Sequence, residues 1–156
     1  ALSAYIGSEY KLSLSIGRIG KGPAGIQSSF IQAEQAMSLS ETIKERSGII
    51  YYDDLGAYRL LNKLVGEQEL NEFHKETIGK LLQQDPNFEL LKTLKTYFYY
   101  DEVMKTTASA LFIHVNTLKY RISKIESITG CDLKKSEGKM NLFLGLKINE
   151  LIHFDE

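Results

Sequence analysis

The chain has a single cysteine, Cys131, among 156 residues. An internal disulfide is therefore excluded, and a metal site would need more ligands than one thiol offers. Its place in a loop after a helix suits an ordinary structural cysteine. No run of about 18 apolar residues occurs, which excludes a transmembrane helix, in keeping with a mean hydropathy of −0.20. The opening ALSAYIGSEYKLSLSIG has neither an initiator Met nor a basic-then-apolar signal pattern, as expected of a piece cut from a longer cytoplasmic protein. His74, His114 and His153 stand far apart, with no HExxH spacing, and no serine nucleophile elbow is present. No catalytic, metal or cofactor residues are assigned on these grounds, and His74 reads as a surface helix residue. Internal repeats and low-complexity tracts are also missing.

At 43% apolar residues the chain can bury a real core in one or two small domains. Its most unusual stretch is Val103 to Ile125, VMKTTASALFIHVNTLKYRISKI, which carries Lys105, Lys119, Arg121 and Lys124 and no acid. The whole chain sums to −1, so this segment is +4 on a background of −5. A cationic helical pair on a mildly acidic protein is what a reader of the phosphate backbone needs.

The spacing Val115, Leu118, Ile122, Ile125 predicts one apolar stripe on a helix starting at about His114 to Asn116. Asn116, Lys119, Tyr120 and Lys124 then project from the other side, with Thr117 and Arg121 flanking the stripe. Ala108 supplies the small residue that two steeply crossing helices need, and Leu111 and Ile113 anchor the turn. This is helix-turn-helix logic, in which the second helix offers its N-terminal end to the major groove. Phe112 departs from it, standing where such turns often carry Gly. An amphipathic hairpin with a merely solvated basic face fits the periodicity as well.

The string TASALFIHVNTLKYRISKIESITG, followed by CDLKKSEGKMNLFLGLKINEL, resembles the C-terminal helix-turn-helix of PucR/CdaR-type bacterial transcription regulators. Ile113, His114, Asn116, Thr117, Leu118, Tyr120, Arg121, Lys124 and Ile125 match its signature, as do Thr129, Gly130, Asp132 and Leu133. Val115 departs, because many relatives carry Arg there. The resemblance implies sequence-specific binding of double-stranded DNA, by a recognition helix of about 114–127, in the regulator of a catabolic pathway. It also implies an effector sensed by regions upstream of this chain. Lys105, Thr106, Thr107, Thr117 and Lys124 are the expected phosphate-backbone contacts. His114, Val115, Asn116, Lys119 and Tyr120 are the expected groove-facing set; the Asn116 amide suits adenine N6/N7 and Lys119 suits guanine O6/N7. His114 can donate to a phosphate or a base edge, or cap the turn. Arg121 can contact DNA or brace the fold through a buried carboxylate. One such module binds modestly, so a homodimer on paired half-sites is the economical assembly.

Towards the N-terminus, residues 11–17 alternate, with Leu12, Leu14 and Ile16 on one side, as in a half-buried strand. A helix to about Ile43 with the face Ile26, Phe30, Ala33, Met37 follows, then a strand from Gly48 to Asp53. A right-handed crossover would make the strands parallel. Gly20, Gly22 and Gly25 spell GxGxxG between strand and helix, the dinucleotide pattern. Yet the next strand-borne acid, Asp53, lies 33 residues beyond Gly20, where about 20 is usual, and no further strand–helix units follow, so a glycine-rich turn suffices. This part resembles, less specifically, the degenerate GGDEF-like region that precedes the helix-turn-helix in many such regulators. The acidic GG[DE]EF hairpin of the cyclase relatives does not occur. An enzyme fragment on this half, nucleotide-binding or cyclase-like, is the alternative function, and a module that only dimerises is a third.

From Leu55, helical spacing runs through Leu60, Leu61, Leu64, Val65, Leu70, Phe73, Thr77, Leu81 and Leu82 to Gln84, and Asp85-Pro86 interrupts it. Glu67 to Glu89 is net −4, which would keep this connector off DNA. Phe88, Leu91, Leu94 and Phe98 mark the next stripe, with Leu90 beside it. Tyr97, Tyr99 and Tyr100 end it, as nucleic-acid contacts or as seals of a core or dimer interface. Gly130 reads as a C-cap, and Gly138 precedes a closing helix. The expected fold class is α+β: mainly helical, with a small strand–helix–strand remnant (1–54), a helical connector (55–86) and an all-α helix-turn-helix domain (87–156).

Overall fold

The computed structural model describes residues 13–43 and 48–152. Leu12, at the start of the expected first strand, and His153 lie outside the described residues. The fold is mainly helical with one small sheet, as expected. The chain divides into two compact units, residues 1–65 with 150–156, and residues 66–149.

In the first unit, strand β1 (Leu14–Ile16) pairs in parallel with β2 (Ile49–Tyr51), Ser15 opposite Ile50, across helix α1 (Gly22–Thr42). Three glycines make this crossover possible. A Cβ on Gly17 would lie 2.0 Å from the Ser29 carbonyl oxygen, and one on Gly20 would lie 2.1 Å from that of Gly25. The GxGxxG string therefore has a packing reason, the close approach of the strand end to α1. Asp53, the acid a dinucleotide ribose would need, is engaged by Arg18 at 2.6 Å and faces Arg59 at 3.5 Å. The hydrogen bond from Arg18 holds its carboxyl below the usual range.

The buried face of α1 is rotated from the expected one. Ala36, Leu39 and Ile43 join Ile50, Leu55, Tyr58 and Leu151 in the core, whereas Ile26 and Phe30 are exposed. At the start of the helix the backbone of Gly25 and Ser29 lies against Gly20 and Gly17, just past β1, so close that a Cβ on either of those glycines would clash. The second strand stops at Tyr51, and Tyr52–Leu55 forms a 3₁₀ turn leading to α2 (Tyr58–Leu61) and a further turn at Asn62–Leu64. Leu60, Leu64 and Val65, expected on an apolar stripe, are exposed. Leu55 and Tyr58 are the inward residues instead.

In the second unit, α3 (Gln68–His74), a wide π turn (Lys75–Gly79) and α4 (Lys80–Gln84) run on as one helical stretch. Leu70, Thr77, Ile78 and Leu81 are its buried face. His74 is buried rather than on the surface, its Nε2 2.9 Å from Asn149 Oδ1. Helix α5 (Glu89–Tyr99) follows, then α6 (Met104–Ala110), α7 (Val115–Thr129) and α8 (Ser136–Ile152), whose residues from Glu150 belong to the first unit. Gly138 lies inside α8 rather than before it. A Cβ there would sit 2.3 Å from the Asp132 carbonyl oxygen, so the loop from α7 closes onto that glycine. The core gathers Ile78, Leu81, Leu90, Leu91, Leu94, Tyr97, Ile125, Leu133, Leu142 and Leu146 around the inner side of α7. Phe88 is not part of it: it is exposed, with φ 54°, and the stripe of α5 begins at Leu90. Tyr97 is a core residue, its phenol pushed up in pKa by burial and then by the Glu102 charge.

Candidate nucleic-acid interface

Helix α6 ends in a closed turn. Phe112 N–H donates to the Ser109 carbonyl at 3.1 Å and Ile113 N–H to the Ala108 carbonyl at 3.0 Å. This pair of bonds is the Schellman closure, which needs a left-handed residue at the first position past the cap. Phe112 fills it with φ 55°, and its ring is 96% exposed. The turn geometry is thus the one a glycine would give, reached by a residue that pays roughly 1–2 kcal/mol for it. Replacing Phe112 by Gly should raise stability by about 0.5–1 kcal/mol after the greater unfolded-state entropy of glycine is set against that strain. The check is a urea melt with a higher midpoint at unchanged slope; a lower midpoint would show that the ring holds something in the fold.

Helix α7 starts cleanly at His114, whose backbone is extended (φ −72°, ψ 149°) and whose Nδ1 accepts the Asn116 N–H at 3.2 Å. In the neutral ring an accepting Nδ1 leaves the proton on Nε2. His114 therefore caps the helix while keeping one outward donor. The helix ends at Gly130 with φ 73°, as expected of a C-cap. Along α7, Leu118 and Ile125 are wholly buried, and Val115 and Ile122 are half-buried beside them, which realises the apolar stripe. Ala108 of α6 is buried as well, with Leu111 and Ile113 half-buried on either side of the turn.

On the opposite side, Asn116, Thr117, Lys119, Tyr120 and Lys124 are all exposed, and so are Lys105 and Thr106 on α6. The side chains of Asn116, Lys119, Tyr120 and Lys124 have no partner among the described residues. Ser123, which sequence reasoning passed over, completes this face. Its signal was only its register, seven residues after Asn116 and so two helical turns along.

One expected contact sits elsewhere, and the open reading of Arg121 resolves toward a brace. Thr107 is fully buried and donates its hydroxyl to the Val103 carbonyl at 2.9 Å, so it cannot reach a phosphate. On α6 it lies next to Ala108, on the face turned inward. Arg121 is a brace: its guanidinium donates to Glu89 Oε2 at 2.9 Å and to Thr93 Oγ1 at 3.3 Å. The carboxylate is not buried as expected, the Glu89 side chain being 62% exposed. An acid in the first turn of α5 is favoured there by the positive end of the helix, which explains why the partner lies at the rim.

A family profile of the PucR C-terminal helix-turn-helix domain matches residues 90–148, from the second residue of α5 into α8. The chain is 31% identical over 142 residues to the carbohydrate diacid regulator of Escherichia coli (strain K12), covering 91% of this chain and 37% of that protein. It is 32% identical over 146 residues to the proline-responsive transcriptional activator PutR of Bacillus subtilis (strain 168), covering 92% and 33%. Similarity to the purine catabolism regulatory protein of the same organism is 28% over 150 residues, covering 94% and 28%. The chain thus spans about a third of the length of these curated relatives. With the helix-turn-helix geometry of α6 and α7 and the profile over the same residues, these similarities show that the chain belongs to the PucR/CdaR family.

Proposed function

We propose that this chain is the DNA-reading part of a transcription regulator, one that governs the catabolism of a small molecule. The observation that carries the reading is the outer face of α7, where Asn116, Lys119, Tyr120 and Lys124 stand exposed and unengaged while the inner face is sealed. An α-helix with its side chains is about 10–12 Å across, which suits a major groove about 12 Å wide. In this arrangement α7 enters the groove. Asn116, Lys119 and Tyr120, with His114 Nε2 and Ser123, face base edges, and Val115 lies at the margin. Lys105, Thr106, Thr117 and Lys124 set the register on phosphates. Arg121 holds α7 against α5 instead of touching DNA.

Two copies reading paired half-sites would give the affinity that one module lacks. The small-molecule effector is sensed by a part of the protein upstream of this chain, which acts in the cytoplasm. The strand–helix–strand of the first unit is the remnant of a GGDEF-like domain, a reading supported by its parallel pairing across α1.

Fluorescence anisotropy on genomic duplex fragments at several salt concentrations tests this reading. Affinity should fall steeply with salt, and Lys124→Ala should lessen the slope by about one unit, for one phosphate neutralised. Binding that ignores salt, or no binding at low salt, would refute it.

A further inference from the structure

The end of α5 carries a feature that neither the core nor the groove-facing set absorbs. Tyr99 is 79% exposed, and its ring meets Tyr100 edge-on, centroids 4.9 Å apart at 85°. Neither hydroxyl has a hydrogen-bond partner among the described residues. Edge-to-face packing is a favoured arrangement of two rings, so the pair forms a ledge with two unused donors. Its position is what matters. The chain turns sharply after it, through Asp101 (φ 49°) and Glu102 (φ 64°), and α6 begins at Met104 with Val103 as its cap. Glu102 is tied to Lys139, which fixes this turn. The two tyrosines therefore immediately precede the N-terminal end of α6, where the Val103 N–H donates to the Tyr100 carbonyl at 3.0 Å and Lys105 and Thr106 are exposed.

That end of the first helix is where a helix-turn-helix crosses the phosphate backbone, and the loop before it is a recurrent backbone contact. We infer that Tyr99 and Tyr100 form an uncharged phosphate clamp, donating their hydroxyls to backbone oxygens flanking the groove that α7 enters. The inference rests on the DNA-binding reading above. A neutral donor suits this spot because the Asp101 carboxylate stands in the same turn. A phenol meets a phosphate by hydrogen bonding and releases no counterion of its own.

This sets the clamp apart from the lysines in a measurable way. The 156-residue chain, its Tyr99→Phe variant and its Tyr99→Phe/Tyr100→Phe variant would be titrated against duplexes selected from a random library by the unmodified chain. The double variant should bind about tenfold more weakly, as expected for two lost hydrogen bonds, and the single variant should fall between. The salt slope should be unchanged, whereas Lys105→Ala lowers it by about one unit. Sequence preference should be unchanged as well. Both rings remain, so thermal melts should coincide.

If the unmodified chain binds no duplex, the clamp falls together with the DNA-binding reading. Where the chain binds and the double variant binds equally well, the clamp alone is overturned. A double variant that binds more weakly with a shallower salt slope or an altered preference also overturns it, as does one that changes oligomeric state by light scattering. In the last case the ledge is a contact between copies of this chain.

Discussion

Asp85→Ala should destabilise the helix-turn-helix unit at a cost of about 3 kcal/mol. The Asp85 carboxylate is buried and accepts three backbone N–H groups at the start of α5: Glu89 at 3.1 Å, Leu90 at 2.8 Å and Leu91 at 2.9 Å. Those donors have no partner within their own helix. A charged acceptor shared by three of them is worth more than an ordinary cap, and its loss leaves the Leu90 and Leu91 amides unpaired in an apolar setting. Asp85→Asn keeps a single acceptor oxygen and should lose roughly half as much. The measurement is chemical denaturation of the three proteins side by side, and equal midpoints for Asp85 and its Ala variant would refute the assignment. The loss should reach function too, because α5 carries Glu89 and Thr93, which hold Arg121, and Leu94, which packs in the same core as Ile125. A loosened α5 lets the recognition helix tilt.

On the DNA side the largest expected effect is at Asn116. Asn116→Ala should reduce discrimination between a preferred duplex and single-base variants of it by about 1–3 kcal/mol at one position, with little change elsewhere. The reason is geometric: Asn116 is the first exposed amide of α7, one residue into the helix, at the end that the proposed docking would put into the groove. Lys119→Ala should act at a different base pair and weaken binding overall, because it removes a charge as well as a donor. Competition anisotropy with a panel of single-base variants reads both. Discrimination that survives Asn116→Ala would remove this residue from the base-reading set.

The helix-turn-helix could be read closely from the residues because its pattern is local. The stripe Val115, Leu118, Ile122, Ile125 repeats within one helix, and its burial follows from the 3.6-residue period alone. The exposed face follows for the same reason. Residue type alone puts Thr107 on the outer face, yet a threonine beside Ala108 turns inward with it. The two readings of Arg121 stay open in the sequence, because an arginine at the edge of a stripe meets whatever the neighbouring helix presents. That neighbour is Glu89, 32 residues earlier in the chain, and no local spacing reveals it. The buried face of α1 is not legible in the same way, because the size of an apolar residue does not by itself decide which way it points. At the start of that helix Gly17 and Gly20 lie against the backbone of Ser29 and Gly25.

The amino-acid sequence by itself determined the helical periods, the cationic segment free of acids, the glycine C-cap and the two apolar stripes that must be buried. These depend on residues a few positions apart, where backbone geometry leaves one arrangement. Only the tertiary structure decided that His74 is buried against Asn149, that Asp85 caps three amides of the next helix, and that Arg121 is a brace. Such pairings depend on how helices distant in sequence cross, and that is set by the packing of the whole core rather than by any one segment.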